Sequence, residues 1–110
     1  MVNEKLYFFQ QFSRSIATVG SFIPTSRFAA HSMVSEMARR AGPRRILEVG
    51  PGTGPITAEI VRHMRADDSL VLCELNGDFV AFLEERMAAD AAFAARRAQI
   101  TLQHANVQDL

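Results

Sequence analysis

Apolar and polar positions fall into blocks along this chain, and their spacing predicts two helices followed by a β-α-β-α-β series. Residues 4–18 carry aromatic and aliphatic side chains at near-helical spacing, which predicts a helix with an aromatic face. After a break marked by glycine and proline, residues 26–41 predict a second helix with Ser26 as a candidate N-cap. The dipeptide Gly-Pro at 42–43 ends that helix.

The rest of the pattern alternates between short apolar strands and amphipathic helices. The strands are expected at 45–49, 70–74 and 99–103, and the helices at 56–66 and 79–93, with Asp78 as a candidate cap of the latter. Such alternation predicts a parallel sheet with right-handed crossovers. We therefore expect an α/β fold in which three parallel strands carry helices on both faces, which is half of a doubly wound domain.

The organisation predicted for residues 1–110 is a single domain. Residues 1–43 form its N-terminal helical cap, and residues 44–110 form the first half of a ligand-binding sheet. Because the second half of such a sheet would cover apolar surface, the chain is expected to be truncated.

Three glycines follow the first predicted strand in the segment ILEVGPGTGPIT. Gly50, Gly52 and Gly54 permit a tight turn and bring bare backbone close to a ligand. A pyrophosphate-binding corner has the spacing G-x-G-x-x-G, whereas Pro55 stands here at the position of the third glycine. This departure favours a ligand with a smaller anionic group and an amine, since Glu48 can favour a cation nearby.

Polar residues also follow the next two predicted strands. Glu74 ends the second strand, roughly 20 residues past the glycines, where a carboxylate can accept hydrogen bonds from ribose hydroxyls. Asn106 lies just past the third strand and can read the amino edge of an adenine. The carboxyl ends of parallel strands share one edge of the sheet, so the pattern predicts a nucleoside ligand there. Nicotinamide and adenosyl cofactors both fit this pattern.

Composition and charge limit the possible partners and compartments. The net charge is +0, which argues mildly against RNA because phosphate binding needs a basic face. Cys73 is the single cysteine, which excludes an internal disulfide and fits a reducing compartment. The sequence has neither a secretory signal pattern nor a run of about 18 apolar residues. A cytoplasmic location is therefore expected.

The segment EVGPGTG, the acid in LCELN and the polar residue after the third strand together resemble the class I S-adenosylmethionine-dependent methyltransferases, which have a Rossmann-like fold. A narrower resemblance, to the bacterial phospholipid N-methyltransferases, is carried by FFQQFSRSIATVGSFIPTSRFAAHSM, RRILEVGPGTGPIT and VLCELNGDFVAFLEERM. Those enzymes methylate the amine of phosphatidylethanolamine toward phosphatidylcholine. Their Val-Gly-Ser motif is matched at 19–21, and their Pro-Ser-Ser-Arg motif is matched at 24–27 with Thr for one Ser.

This resemblance implies a set of residues that bind S-adenosylmethionine. Glu48 would help to hold the methionine amino group, Glu74 would bind the ribose hydroxyls, and Leu75 would pack on the adenine. Asn106 stands where the family often has Asp or Ser and would face the adenine amino group. The complete set is Glu48, Gly50, Gly52, Gly54, Glu74, Leu75, Asn106 and Val107.

The aromatic N-terminal segment has two alternative interpretations. Six of the nine aromatic residues lie in the first 28 positions, flanked by Lys5 and Arg14, as in an interfacial helix that contacts a membrane surface. The candidate membrane contacts are Tyr7, Phe8, Phe9 and Phe12. Alternatively, the same side chains cover the open sheet as part of the core.

The function expected from the resemblance is N-methylation of phosphatidylethanolamine head groups by a cytoplasmic protein peripheral to the membrane. The alternatives are an rRNA adenine or small-molecule methyltransferase, or a truncated chain that binds the cofactor without catalysis. The rRNA adenine dimethyltransferases share the glycine motif and the acid, but their preceding Gln-Asn-Phe-type segment is absent here. No catalytic base and no metal site can be assigned, because His31, His63 and His104 are scattered along the sequence.

Overall fold

A computed structural model describes residues 5–10 and 27–109, which form one parallel sheet with helices packed against it. The strands are β1 (Lys5–Gln10), β2 (Arg44–Val49), β3 (Ser69–Glu74) and β4 (Ile100–His104). The helices are α1 (Arg27–Arg39), α2 (Pro55–Arg62), α3 (Gly77–Ala89) and α4 (Ala91–Ala95), with 3-10 turns at Arg97–Gln99 and Val107–Asp109. The strands lie in the order β1-β2-β3-β4, and all neighbouring pairs are parallel. The predicted α/β, Rossmann-like fold with its three parallel strands is confirmed.

The helix predicted at 4–18 is wrong over residues 5–10, which form the edge strand β1. Tyr7 pairs with Ile46 and Phe9 pairs with Glu48, and both aromatic side chains are buried, at 5% and 0% exposure. Buried side chains at every second position are the period of a strand. Adjacent aromatic residues hid this period, because they also fit the broad face of a helix. The rest of that predicted helix, with Phe12 and Ser26, lies outside the described residues.

The main hydrophobic core lies on one face of the sheet. Each helix contributes to it, and the strand residues that face the helices alternate with others that do not. Leu47 and Val71 lie on the opposite face, where they are half-buried and line an open groove of about 750 Å³. Helices were expected on both faces of the sheet. Within residues 5–10 and 27–109 they cover one face, and the other face carries the open groove. The buried cluster on that face comprises Tyr7, Phe9, Val34, Met37, Ile46, Ile56, Ile60, Val61, Met64, Leu70, Leu72, Met87, Phe93 and Ile100.

The long helix predicted at 79–93 is two helices, because the chain leaves helical geometry at Asp90. That residue has extended backbone angles, and its carboxylate accepts from the N–H groups of Ala92 and Phe93, so it caps α4. The cap of α3 is Asn76 and not the predicted Asp78. The side-chain oxygen of Asn76 accepts from the N–H of Asp78 at 2.8 Å.

An ion pair inside the fold joins β2 to the turn before β3. The Arg44 guanidinium donates to both carboxylate oxygens of Asp68, at 3.0 and 2.9 Å, and also to the carbonyl of Met37 at the end of α1. Arg44 and Asp68 are 1% and 3% exposed. The backbone N–H groups of Arg44 and Arg65 also donate to this carboxylate. A buried ion pair with this many additional hydrogen bonds fixes β2, β3 and α1 relative to one another.

Candidate functional site

The three glycines form a left-handed corner between β2 and α2. Their φ angles are 67° at Gly50, 62° at Gly52 and 90° at Gly54, a region that side-chain-bearing residues rarely adopt. The N–H of Gly54 donates to the carbonyl of Pro51 at 3.0 Å, and the N–H of Gly50 donates to the carbonyl of Cys73 at 2.9 Å. The predicted turn is confirmed, and it is attached directly to the end of β3.

The missing side chains have different uses at two of these glycines. A Cβ on Gly54 would lie 3.1 Å from Leu83 and 3.2 Å from Arg86, so the bare backbone lets α3 pack closely. Arg86 also donates to the carbonyl of Thr53 at 2.8 Å, which holds α3 to the corner. A Cβ on Gly52 would meet nothing within 4 Å. Gly54 thus provides the close packing, whereas Gly52 leaves open space beside the backbone.

Glu74 closes the corner from the end of β3. Its carboxylate accepts from the N–H of Gly52 at 2.9 Å through Oε1, and from the N–H of Asn76 at 2.9 Å through Oε2. Each carboxylate oxygen offers two acceptor positions, so these two bonds leave one on each oxygen. Glu74 is 1% exposed, so its carboxylate is shielded from solvent.

Glu48 lies in β2, two residues before Gly50, and its side chain is buried against α2. It is 0% exposed, and the hydroxyl of Thr57 in α2, which is also buried, donates to its Oε1. The carboxylate therefore joins β2 to α2. Sequence reasoning missed Thr57, although its place in the first turns of the helix after the glycines is visible in the sequence.

The residues predicted to face an adenine follow β3 and β4 at the same edge of the sheet. Leu75 is 42% exposed, and its carbonyl lies 3.0 Å from Nε2 of His104. The N–H of Ala105 donates to the carbonyl of Glu74 at 3.0 Å, which brings the two strand ends together. Asn106 is exposed, and its side-chain oxygen accepts from the N–H of Gln108 at 3.0 Å. The backbone of Val107 continues into the 3-10 turn.

Two of the four candidate membrane contacts lie in the hydrophobic core. Tyr7 and Phe9 belong to the core, because β1 turns them toward the helices and buries them. This burial corrects the expectation that these two rings contact a membrane surface. The side chains of Phe8 and Phe12 lie outside the described part of the chain.

Cys73 precedes Glu74 in β3 and is buried. Burial, with a smaller contribution from the negative charge of Glu74, raises the pKa of the Cys73 thiol. The thiol donates to the carbonyl of Ala105 at 3.1 Å, which also favours its neutral form. Cys73 is therefore a packing residue of the strand and not a nucleophile.

One pair of titratable side chains was missed by sequence reasoning, which treated the histidines as scattered. Nδ1 of His31 in α1 lies 2.6 Å from Oε1 of Glu59 in α2. Both residues line a cavity of about 270 Å³ together with Pro55 and Ile56, the first two residues of α2. His31 and Glu59 are 28 positions apart in the sequence, so no local signal marks their contact.

The fold and the corner define an open parallel α/β protein in which the strand ends and a glycine turn meet at one edge of the sheet. Over 86 residues the chain is 30% identical to an ornithine lipid N-methyltransferase of Singulisphaera acidiphila, a match covering 78% of this chain and 44% of that protein. The chain thus spans less than half the length of this curated relative, and the match supports a methyltransferase relationship. No family model matches the chain. None of the helices in the described residues is long and apolar enough to cross a membrane.

Proposed function

We propose that the protein is an S-adenosylmethionine-dependent N-methyltransferase that acts on the head-group amine of a membrane lipid. The observation that carries the proposal is the glycine corner with the Glu74 carboxylate hydrogen-bonded to Gly52. Positive φ angles at all three glycines and open space beside Gly52 suit a nucleoside ligand that lies against bare backbone.

The residues of the corner fit the donor at several points. Leu75 offers an exposed apolar surface next to Glu74, as needed for stacking an adenine. Glu74 would bind the ribose hydroxyls with the acceptor positions that its two backbone bonds leave free. Glu48, which accepts a hydrogen bond from Thr57, would favour the ammonium group of the methionine portion through its charge. Gly50, Gly54, Asn106 and Val107 remain proposed cofactor-binding residues.

The donor, when bound, supplies a methyl group attached to a sulfonium, and the group that leaves when this methyl is transferred is a neutral thioether. The protein therefore needs to align an acceptor and exclude water more than it needs to protonate a leaving group. An amine attacks only in its neutral form, so the protein also has to accept a proton from it.

The lipid acceptor is supported by the relative, whose name specifies an ornithine lipid, and by the resemblance to phospholipid N-methyltransferases. We propose phosphatidylethanolamine as the substrate and an ornithine lipid as the second candidate, since both present a primary amine. We propose a cytoplasmic protein that binds the membrane surface peripherally. A net charge of +0 gives an RNA acceptor no comparable support.

The test is transfer of a labelled methyl group to vesicles that contain either phosphatidylethanolamine or an ornithine lipid, with phosphatidylcholine vesicles as the control. The proposal expects label in one or both amine lipids and none in phosphatidylcholine, whose nitrogen is already fully methylated. Label found in RNA adenine but in neither amine lipid would contradict the proposed acceptor.

A further inference from the structure

We infer that His31 is the general base that takes the proton from the acceptor amine, with Glu59 holding its ring in position. This inference rests on the proposed function. It starts from the contact between Nδ1 of His31 and Oε1 of Glu59 at 2.6 Å, which joins α1 to α2. Side-chain exposure is 70% at His31 and 21% at Glu59, so an accessible imidazole rests on a partly buried carboxylate.

The pairing determines which ring nitrogen is available. A carboxylate only accepts, so the short contact has Nδ1–H of His31 donating to Glu59. In a neutral imidazole the other nitrogen, Nε2, is then the acceptor. Within residues 5–10 and 27–109, the structure gives Nε2 of His31 no hydrogen-bond partner. Glu59 therefore orients the imidazole of His31 and leaves its Nε2 available to accept a proton, as in a general base positioned by a neighbouring carboxylate.

The position of the pair connects it to the ligand corner. His31 and Glu59 line the same cavity as Pro55, which directly follows Gly54 and begins α2. The cavity, of about 270 Å³, thus opens beside the first turn after the glycines. Glu36 of α1 pairs at 3.5 Å with Arg40, the residue just past that helix. The charged group bonded to His31 is Glu59.

The reaction needs such a group. An alkylammonium has a pKa of about 10.4, so roughly one amine in 2,500 is neutral at pH 7. Nε2 of His31 would accept the proton of the acceptor ammonium, which frees the nitrogen electron pair to displace the thioether from the methyl carbon in one concerted in-line step, the electrons of the broken carbon–sulfur bond staying on sulfur. The imidazolium of His31 would then pass its proton to water.

The first experiment measures methyl transfer to amine-lipid vesicles by His31→Gln, with His63→Gln as the matched control. His63 is also exposed, and its ring nitrogen Nδ1 contacts the backbone carbonyl of Glu59, not a carboxylate. At pH 7 we expect the rate of methyl transfer by His31→Gln to be about 100-fold lower than that of the wild type. The affinity for S-adenosylhomocysteine should change less than about threefold, because the proposed role of His31 is toward the acceptor amine and not the methyl donor. The loss of rate in His31→Gln should become smaller as the pH approaches the pKa of the acceptor amine, since neutral amine then becomes abundant. His63→Gln should resemble the wild type.

The second experiment is independent of activity and reads the tautomer of His31 by nitrogen-15 NMR. We expect Nδ1–H in the wild type and a shift toward Nε2–H in Glu59→Ala. A wild-type ring protonated at Nε2, or an active His31→Gln enzyme equal to wild type at pH 7, overturns the role of His31 alone. If the wild type binds S-adenosylhomocysteine but methylates no amine lipid, the proposed function fails and the base role fails with it.

Discussion

The N–H of Gly52 donates to Oε1 of Glu74 at 2.9 Å across 22 residues of sequence. This bond joins the two features that the sequence pattern singled out, the glycine corner after β2 and the acid that ends β3. It also shows that the carboxylate has a structural partner before any ligand arrives. Together with the bond from the N–H of Asn76, it leaves one acceptor position on each carboxylate oxygen for a ligand hydroxyl.

Gly54 is predicted to be the least replaceable of the glycines with respect to stability. Gly54→Ala combines an unfavourable φ of 90° with a Cβ 3.1 Å from Leu83, and we expect it to cost about 2–4 kcal/mol in the free energy of unfolding. Gly42→Ala is the matched control, since it has a φ of 87° and nothing within 4 Å, and it should cost about 1 kcal/mol. Urea unfolding of both variants measures the difference, and equal costs would contradict the packing role of Gly54.

Asp68 is predicted to make a large contribution to the free energy of unfolding. Asp68→Asn would leave the buried guanidinium of Arg44 without its ion-pair partner, which costs about 3–5 kcal/mol when a buried pair is broken. Asp67→Asn is the control, because Asp67 is exposed and adjacent. Thermal unfolding should show a large loss for Asp68→Asn and little change for Asp67→Asn. Similar melting temperatures for the two variants would refute the structural importance of the ion pair.

Phe9 is predicted to stabilise the core as part of β1. Phe9→Ala removes a ring of 0% exposure and should destabilise the protein by about 3–5 kcal/mol. Phe82→Ala, at a residue that is 45% exposed, should cost far less. Denaturant unfolding distinguishes them. A Phe9→Ala protein of unchanged stability that no longer binds vesicles would restore the interfacial interpretation.

Cys73 is predicted to make stability depend on alkaline pH. Its folded-state pKa is raised by burial and then by Glu74, so above the ordinary thiol value of 9.0 the unfolded chain loses its proton first. Stability from the neutral thiol is therefore fully present below that value and is lost as pH rises through the folded-state pKa. The advantage of wild type over Cys73→Ala in urea unfolding should be constant up to pH 8 and smaller at pH 10. An advantage that grows with pH would contradict this sign.

The sequence pattern predicted the parts of the fold that depend on local periodicity. The strands β2, β3 and β4 lie within one residue of their predicted bounds, and the corner has the turn that three glycines imply. It failed at β1, where the adjacent aromatics at 7–9 fit a helix as well as a strand and pairing with β2 decided the outcome. It also missed long-range partners such as Thr57 for Glu48 and Glu59 for His31, since no local pattern encodes a contact between separate elements.

The most direct test of the central claim is calorimetric titration of the protein with S-adenosylhomocysteine, with NAD as the competing ligand. We predict binding of S-adenosylhomocysteine without binding of NAD. Glu74→Ala should weaken binding of S-adenosylhomocysteine by at least about 100-fold, because each hydrogen bond to a charged group contributes about 1.5–3 kcal/mol. Glu85→Ala, which removes an exposed carboxylate from α3, should leave the affinity unchanged. A protein shown to be folded by circular dichroism that binds NAD instead, or binds neither ligand, would contradict the account.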